Sequence, residues 1–258
     1  MCSLMVLPMD SQMSSHHPFV ILAMPRVGTH FLEELLNEHP NIYSRGELLN
    51  QYEGNWPDKS RLLLSDRGLL EVAYLQYTAK SVKAEVTHVG CKINEPQFRD
   101  RPGIFDELVA WPGLKVILMV RVNVLESLRS LVQARQSGRW LKFSSDGGGA
   151  LPPRVRLSTA DCEAYFRLSD CFNARVVHSF GSGAVMVVRY EDVTRDRNAC
   201  VNSVWSFLGV RPHQPSGLTD LQRQEMRPLI ETVQNFDELR RYFSGGPYQK
   251  FFQSRDTR

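Results

Sequence analysis

The sequence predicts an α/β fold with a mainly parallel central sheet flanked by helices, and three observations predict it. Short apolar runs of strand length stand at 19–24 (FVILAM), 86–93 (VTHVGCKI), 115–120 (KVILMV) and 184–190 (AVMVVRY). Stretches with helical spacing separate them. The 258 residues are 42% hydrophobic, enough for a core of domain size. Runs that are apolar almost throughout suit strands buried on both faces, the condition of a parallel sheet covered by helices.

Taken in order, residues 1–17 (MCSLMVLPMDSQMSSHH) lack a basic start followed by a long apolar run, so they read as a flexible N-terminus rather than a targeting segment. The first strand breaks at Pro25-Arg26-Val27-Gly28-Thr29 and gives way to a helix over 29–38. Phe31, Leu32, Leu35 and Leu36 form its apolar face, and Glu33, Glu34, Asn37 and Glu38 occupy the other side. Helices are also predicted at 61–77, 123–136, 160–180 and 197–208, with a helical tail over 218–243 broken near Pro228. Residues 142–158 (KFSSDGGGALPPRVRLS) are rich in Gly, Ser and Pro and read as a mobile loop, either a lid or an inert surface connection. No repeat divides the chain, so 18–253 is expected to form a single domain with a short tail at 254–258.

Composition removes several functions. The 31 basic and 28 acidic residues are too evenly balanced for non-specific binding of nucleic acid. No apolar stretch reaches the length of a membrane span, and a cytoplasmic protein is expected. The five cysteines are scattered without CxxC or metal-ligand spacing, which predicts reduced, structural thiols and no metal site.

The first strand–helix turn points to an anion. Backbone N–H groups and the positive end of a helix dipole converge there, and Arg26 adds a full charge. Gly28 lets the backbone approach closely, while Thr29 offers a hydroxyl or a cap. The G-x-x-x-x-G-K-[ST] loop of nucleotide hydrolases is absent. An Arg and a capping Thr in an ordinary turn is the alternative. The stretch 114–140 repeats the pattern: a buried strand, Arg121 at its carboxyl end, then a helix carrying Asn123, Ser127, Ser130 and Ala134 on one stripe. Arg121 and Ser130 are placed to share a second anion; small residues serving close helix packing are the alternative for Ser127 and Ala134.

Together, PRVGTHFLEELLNEHP followed by GELLN, VILMVRVNVLESLRSLVQARQSGRW, and VVRYED resemble three segments of the sulfotransferases that use 3'-phosphoadenosine 5'-phosphosulfate (PAPS). The likeness is closer still to the nodulation sulfotransferases of rhizobia, through NWPDK, RLLLSDR, THVGCKINEPQF, AWPGLKVIL and CEAYF, and it runs from residue 18 to about 252. The resemblance implies a P-loop-like three-layer sandwich. It implies that Arg26, Val27, Gly28, Thr29 and His30 surround the 5'-phosphosulfate, that Arg121 and Ser130 hold the 3'-phosphate, and that Tyr190 lies by the adenine. Many relatives have Ser or Thr where this chain has Val27, which leaves only a backbone N–H at that position. The acceptor implied is a chitooligosaccharide, with sulfate placed on the C6 hydroxyl of its reducing-end N-acetylglucosamine.

Sulfuryl transfer requires a base for the acceptor hydroxyl and positive charge for the departing phosphate. Glu47, in SRGELLN near the end of an early strand, is the first choice of base, and the family has a glutamate in this region. His39 and His88 are the alternatives, with turn or core roles as the competing reading. His30 is placed to contact the sulfuryl oxygens and Lys92 to point into the cleft, or else to reach the surface. Glu95 is set either to bind sugar hydroxyls or to end its strand. Tyr52, Trp56, Trp111 and Trp140 are candidate sugar-stacking residues, with core packing as the alternative for each. An ATP-dependent phosphotransferase, a non-catalytic glycan-binding protein and a homodimer remain open at this point.

Overall fold

A computed structural model describes residues 16–54, 56, 58–75, 85–142, 151–216 and 224–253. Five parallel strands form one sheet: β1 (His17–Ala23), β2 (Ile42–Glu47), β3 (His88–Asn94), β4 (Lys115–Val120) and β5 (Val185–Arg189), in the order β2-β3-β1-β4-β5. The connection after β1 runs toward β2 and that after β4 runs toward β5, so the chain leaves these neighbours in opposite directions. Their carboxyl ends therefore flank a topological switch point, where open α/β sheets place ligands.

Sequence periodicity explains most of the covering helices. In α1 (Thr29–Asn37), Leu32, Leu35 and Leu36 are fully buried, each worth about 1.5–3 kcal/mol over exposure. Helices α5 (Val124–Ser137), α6 (Thr159–Ser179) and α8 (Arg197–Leu208) lie within a residue of their predicted bounds. Three short helices were not anticipated: α3 (Glu95–Asp100), α4 (Gly103–Val109) and α7 (Tyr190–Arg195); α9 (Leu229–Thr232) falls in the predicted tail.

Three expectations are corrected. The helix over 61–77 is a 3-10 turn at Lys59–Leu63 followed by α2 (Asp66–Tyr74). Ser65 separates them because its side chain accepts from Gly68 N and caps α2; residues 76–77 lie outside the described residues. The helical tail is reduced to α9 and α10 (Phe236–Tyr242), while 224–228 has no helix and 218–223 lies outside the described residues. In α1, Glu33 is buried, although its position in the sequence assigns it to the polar side.

A second apolar cluster stands beside the main core. Leu125, Leu128, Val155, Leu157 and Phe166 meet Val233, Phe236, Leu239, Phe243, Phe251 and Phe252 there. Asn123 links it to the sheet: its Oδ1 accepts from Leu125 N at 3.1 Å, capping α5, and its Nδ2 donates to Phe251 O at 3.1 Å. Of the predicted loop 142–158, residues 143–150 lie outside the described residues, and Val155 is buried with its N–H bonded to Thr232 O. The expected terminal segments fall almost wholly outside the described residues, except that His17 already belongs to β1. No helix among the described residues is long and apolar enough to cross a membrane.

Candidate active site

Every strand brings a polar or aromatic residue to the carboxyl edge of the sheet. Arg26 follows β1, Glu47 and Asn94 end β2 and β3, Arg121 follows β4, and Tyr190 follows β5.

The turn after β1 is built on two left-handed residues. Among the described residues Arg26 is the sole non-glycine with positive φ, at 67°, a conformation that costs on the order of 1 kcal/mol or more and persists only when its surroundings impose it. Gly28 has φ 97°, and a Cβ there would lie 2.5 Å from the Tyr190 ring, so both the turn and its packing require glycine. Gly28 occupies the N-cap of α1 without a side-chain cap, and the first turn carries no acidic residue. The N–H groups of that turn have no acceptor within the helix, and the positive end of its dipole is not neutralised locally. Val27 lines a crevice together with Met24, Met119, Arg121, Ser127 and Tyr165.

Arg26 fans across three segments. Its Nε donates to Ser130 Oγ at 3.1 Å, its Nη1 to Trp140 O and its Nη2 to Gln224 Oε1. All three acceptors are neutral. Burial, and then the nearby charge of Arg121, lower the Arg26 pKa, with Tyr165 opposing them. Arg121 pairs with Glu126 and lies 4.6 Å over the Tyr190 ring. Its Nε is buried without a hydrogen-bond partner, as is Ser127 Oγ, and both residues line the same crevice. The two arginine turns thus converge, with Ser130 joined to Arg26 rather than shared with Arg121.

Beside this crevice runs a chain of charges. Lys92 is fully buried on β3; its Nζ donates to Glu33 Oε2 at 2.7 Å and lies 2.8 Å from His30 Nδ1. His30 Nε2 stands 3.6 Å from Glu47 Oε1. Asn94 and Asn50 donate to the two Glu47 oxygens at 3.1 and 3.0 Å. Burial pushes the Glu47 carboxyl up, but the hydrogen bond from His30, the charge of Lys92 and the bond from Asn50 together hold it below the ordinary glutamate value. A bulge aims this carboxylate. Ser44 pairs with Gly90 but Glu47 with Lys92, so β2 carries one extra residue, absorbed where Gly46 takes φ 80°.

Of the predicted residues, Val27 and Arg121 line the crevice, Arg26 meets Ser130, Gly28 and Arg121 pack on Tyr190, Thr29 opens α1, and Glu47, His30 and Lys92 stand in the charged chain. His39 and His88 are elsewhere. His39 Nε2 bonds Arg211 O and His88 Nε2 bonds Leu208 O, both at the amino end of the sheet. Glu95 opens α3, where burial raises its carboxyl and Arg99 counteracts it in part. Trp56 and Trp111 are buried in the core, whereas Tyr52 and Trp140 are exposed. Three contributors carried no signal as site residues in the sequence: Glu33, Gln224 and Asn94.

The profile of the sulfotransferase domain family matches residues 16–240. The chain belongs to the sulfotransferase family. This sulfotransferase is 61% identical to nodulation protein H of Rhizobium meliloti (strain 1021), over 92% of this chain and 95% of that one. It is 57% identical to nodulation protein H of Rhizobium tropici, over 96% and 98% of the two chains. Among solved structures, a sulfotransferase from Alicyclobacillus acidocaldarius aligns over 88% of this chain and 90% of its own with a TM-score of 0.49 and 19% identity.

Proposed function

We propose that this sulfotransferase moves a sulfuryl group from PAPS to the C6 hydroxyl of the reducing-end N-acetylglucosamine of a lipo-chitooligosaccharide nodulation signal, in the cytoplasm. The observation that carries the reading is the meeting, across β3, of the glycine turn that follows β1 and the hydrogen-bonded Glu47 carboxylate that ends β2. The acceptor assignment is supported by the 57–61% identity to proteins named nodulation protein H. The free thiols of the four described cysteines fit a reducing compartment.

The residues present fit a nucleotide carrying anions at both ends. The unpartnered Arg121 Nε and Ser127 Oγ need an acceptor or donor, Arg26 supplies charge-assisted donors, and Gly28 leaves no side chain in the way. Arg26 with the backbone N–H groups of Val27, Gly28, Thr29 and His30 would hold the phosphosulfate. Arg121 and Ser130 would hold the 3'-phosphate, with Tyr190 toward the adenine. The donor supplies an activated sulfuryl group whose sulfur–oxygen bond to phosphate breaks as the acceptor oxygen attaches.

The rest is the work of the chain. Glu47 takes the acceptor proton, because its oxygens retain lone pairs beyond the bonds from Asn50 and Asn94. Arg26 and the first turn of α1 stabilise charge on the departing phosphate. Tyr52 and Trp140 offer exposed ring faces to sugar.

Incubation with sulfur-labelled PAPS and chitooligosaccharides is expected to label the sugar, and calorimetry is expected to show binding of adenosine 3',5'-bisphosphate in preference to ATP with Mg²⁺. Bisphosphate binding without label on any glycan would overturn the acceptor; preference for ATP would overturn the donor.

A further inference from the structure

Glu33 makes more contacts with the charged chain than a helix-surface glutamate has reason to. Its Oε1 accepts from Ser44 Oγ and from Gly46 N at 2.8 Å, and its Oε2 accepts from Lys92 Nζ at 2.7 Å. One carboxylate thus ties α1 to β2 at the bulge that aims Glu47 and to β3 at Lys92. The Glu33 side chain is 9% exposed and that of Lys92 0%. A buried ion pair is poor value as a stabiliser, since desolvating two charges offsets most of their attraction and apolar residues of the same volume often do as well. Its location beside His30 and Glu47 suggests a role in the reaction.

The geometry fixes that role through hydrogen-bond valence. A lysine ammonium has three donors and no acceptor. Lys92 Nζ, 2.8 Å from His30 Nδ1, makes that nitrogen the acceptor, so in a neutral ring the proton sits on Nε2. Nε2 is the atom that faces Glu47. We propose that Glu33 is a positioning residue for sulfuryl transfer: by anchoring Lys92 it selects the His30 tautomer that presents N–H to Glu47. The same argument removes His30 as the base, because one of its nitrogens carries the proton and the lone pair of the other is taken by Lys92. The inference rests on the reading of Glu47 as the base.

Heteronuclear NMR of the imidazole nitrogens in the wild-type enzyme tests it directly. The expected result is His30 as the Nε2–H tautomer alone; an Nδ1–H ring overturns the proposal. In Glu33→Gln, which keeps the shape and loses the charge, the Nδ1–H form should appear. Turnover should fall roughly 10- to 100-fold, a fraction of the 10²- to 10⁴-fold that a positioned base supplies. Affinity for adenosine 3',5'-bisphosphate should stay within about threefold, as expected when an interaction made only in the transition state is lost. An unchanged tautomer in that variant also overturns the proposal. If Glu33→Gln does not fold, Glu33→Asp, which keeps the charge and withdraws the carboxylate by one methylene, is measured for the same two outcomes. The tautomer is read without any acceptor, so a wild-type enzyme that leaves chitooligosaccharide unlabelled refutes the acceptor assignment and leaves this proposal standing or falling on its own spectrum.

Discussion

The two ends of the sheet bury titratable groups in opposite ways. At the amino end His17 and His88 lie with ring centroids 4.8 Å apart, and His39 packs on Trp205 at 5.1 Å and on His213 at 5.3 Å. Both nitrogens of His88 are engaged, by Leu208 O and Thr87 Oγ1, and both of His39, by Arg211 O and Asn41 N. These partners are backbone groups or a neighbouring hydroxyl, and they hold the rings in place. At the carboxyl end the partners are themselves ionisable: Glu33, Lys92, His30 and Glu47 follow one another, with Arg26 and Arg121 close by. Burial of a titratable side chain is common to both ends. What distinguishes the active end is that its groups are paired with opposite charges and stand by the N-terminus of a helix, so a proton or an anion arriving there changes the whole set.

The largest effect that would break this contrast is at Glu47. Glu47→Gln keeps the bonds from Asn50 and Asn94 within reach but has no base, so turnover should fall about 10²- to 10⁴-fold with bisphosphate binding retained; near wild-type turnover in a single-turnover assay would move the base elsewhere. Next comes the turn itself. Gly28→Ala places a methyl at φ 97° and against the Tyr190 ring, so a loss of about 1–3 kcal/mol in urea unfolding is expected, together with weakened bisphosphate binding.

The smallest effect separates the two ends by pH. Burial, then the charge of His17, hold His88 down to about 4 from its ordinary value of 6.5. The unfolded chain therefore binds this proton first as pH falls. Stability is full above pH 6.5 and declines across the window down to about 4. Glu47 has the same sign in a lower window: its pKa is also lowered, so its contribution is present above the ordinary value of 4.5 and is lost only as pH falls through a lower one. Urea midpoints measured between pH 7 and pH 4.5 should drop in the wild type and flatten in His88→Gln, with the acid limb of turnover lying below that window.

Four strands and the long helices were legible because their burial follows a period that the sequence displays. β2 was legible only as an early strand ending near Glu47, without bounds, because Ile42, Tyr43, Ser44, Arg45, Gly46 and Glu47 contain no apolar run. The anion turn was legible from Arg26 and Gly28 since a strand end, a glycine and a helix start are local facts. Glu33 was not, because its partners Lys92, Ser44 and Gly46 lie on other strands, and helical spacing alone assigns it to water. Ser130 was found but its partner was missed for the same reason: the bond to Arg26 spans 104 residues.

The bond from Asn123 to Phe251 O gives the enzyme an order of assembly. All five strands precede residue 190, so a chain emerging from the ribosome has the whole sheet, both arginines and Glu47 before the residues that complete the second apolar cluster exist. The cap of α5, the helix that carries Ser127 and Ser130, is braced only when Phe251 arrives, and Arg26 meets Gln224 only late. Translation thus delivers the scaffold first and the braced donor site last, so a chain cut short after β5 keeps its chemistry-bearing residues without the packing that aligns them.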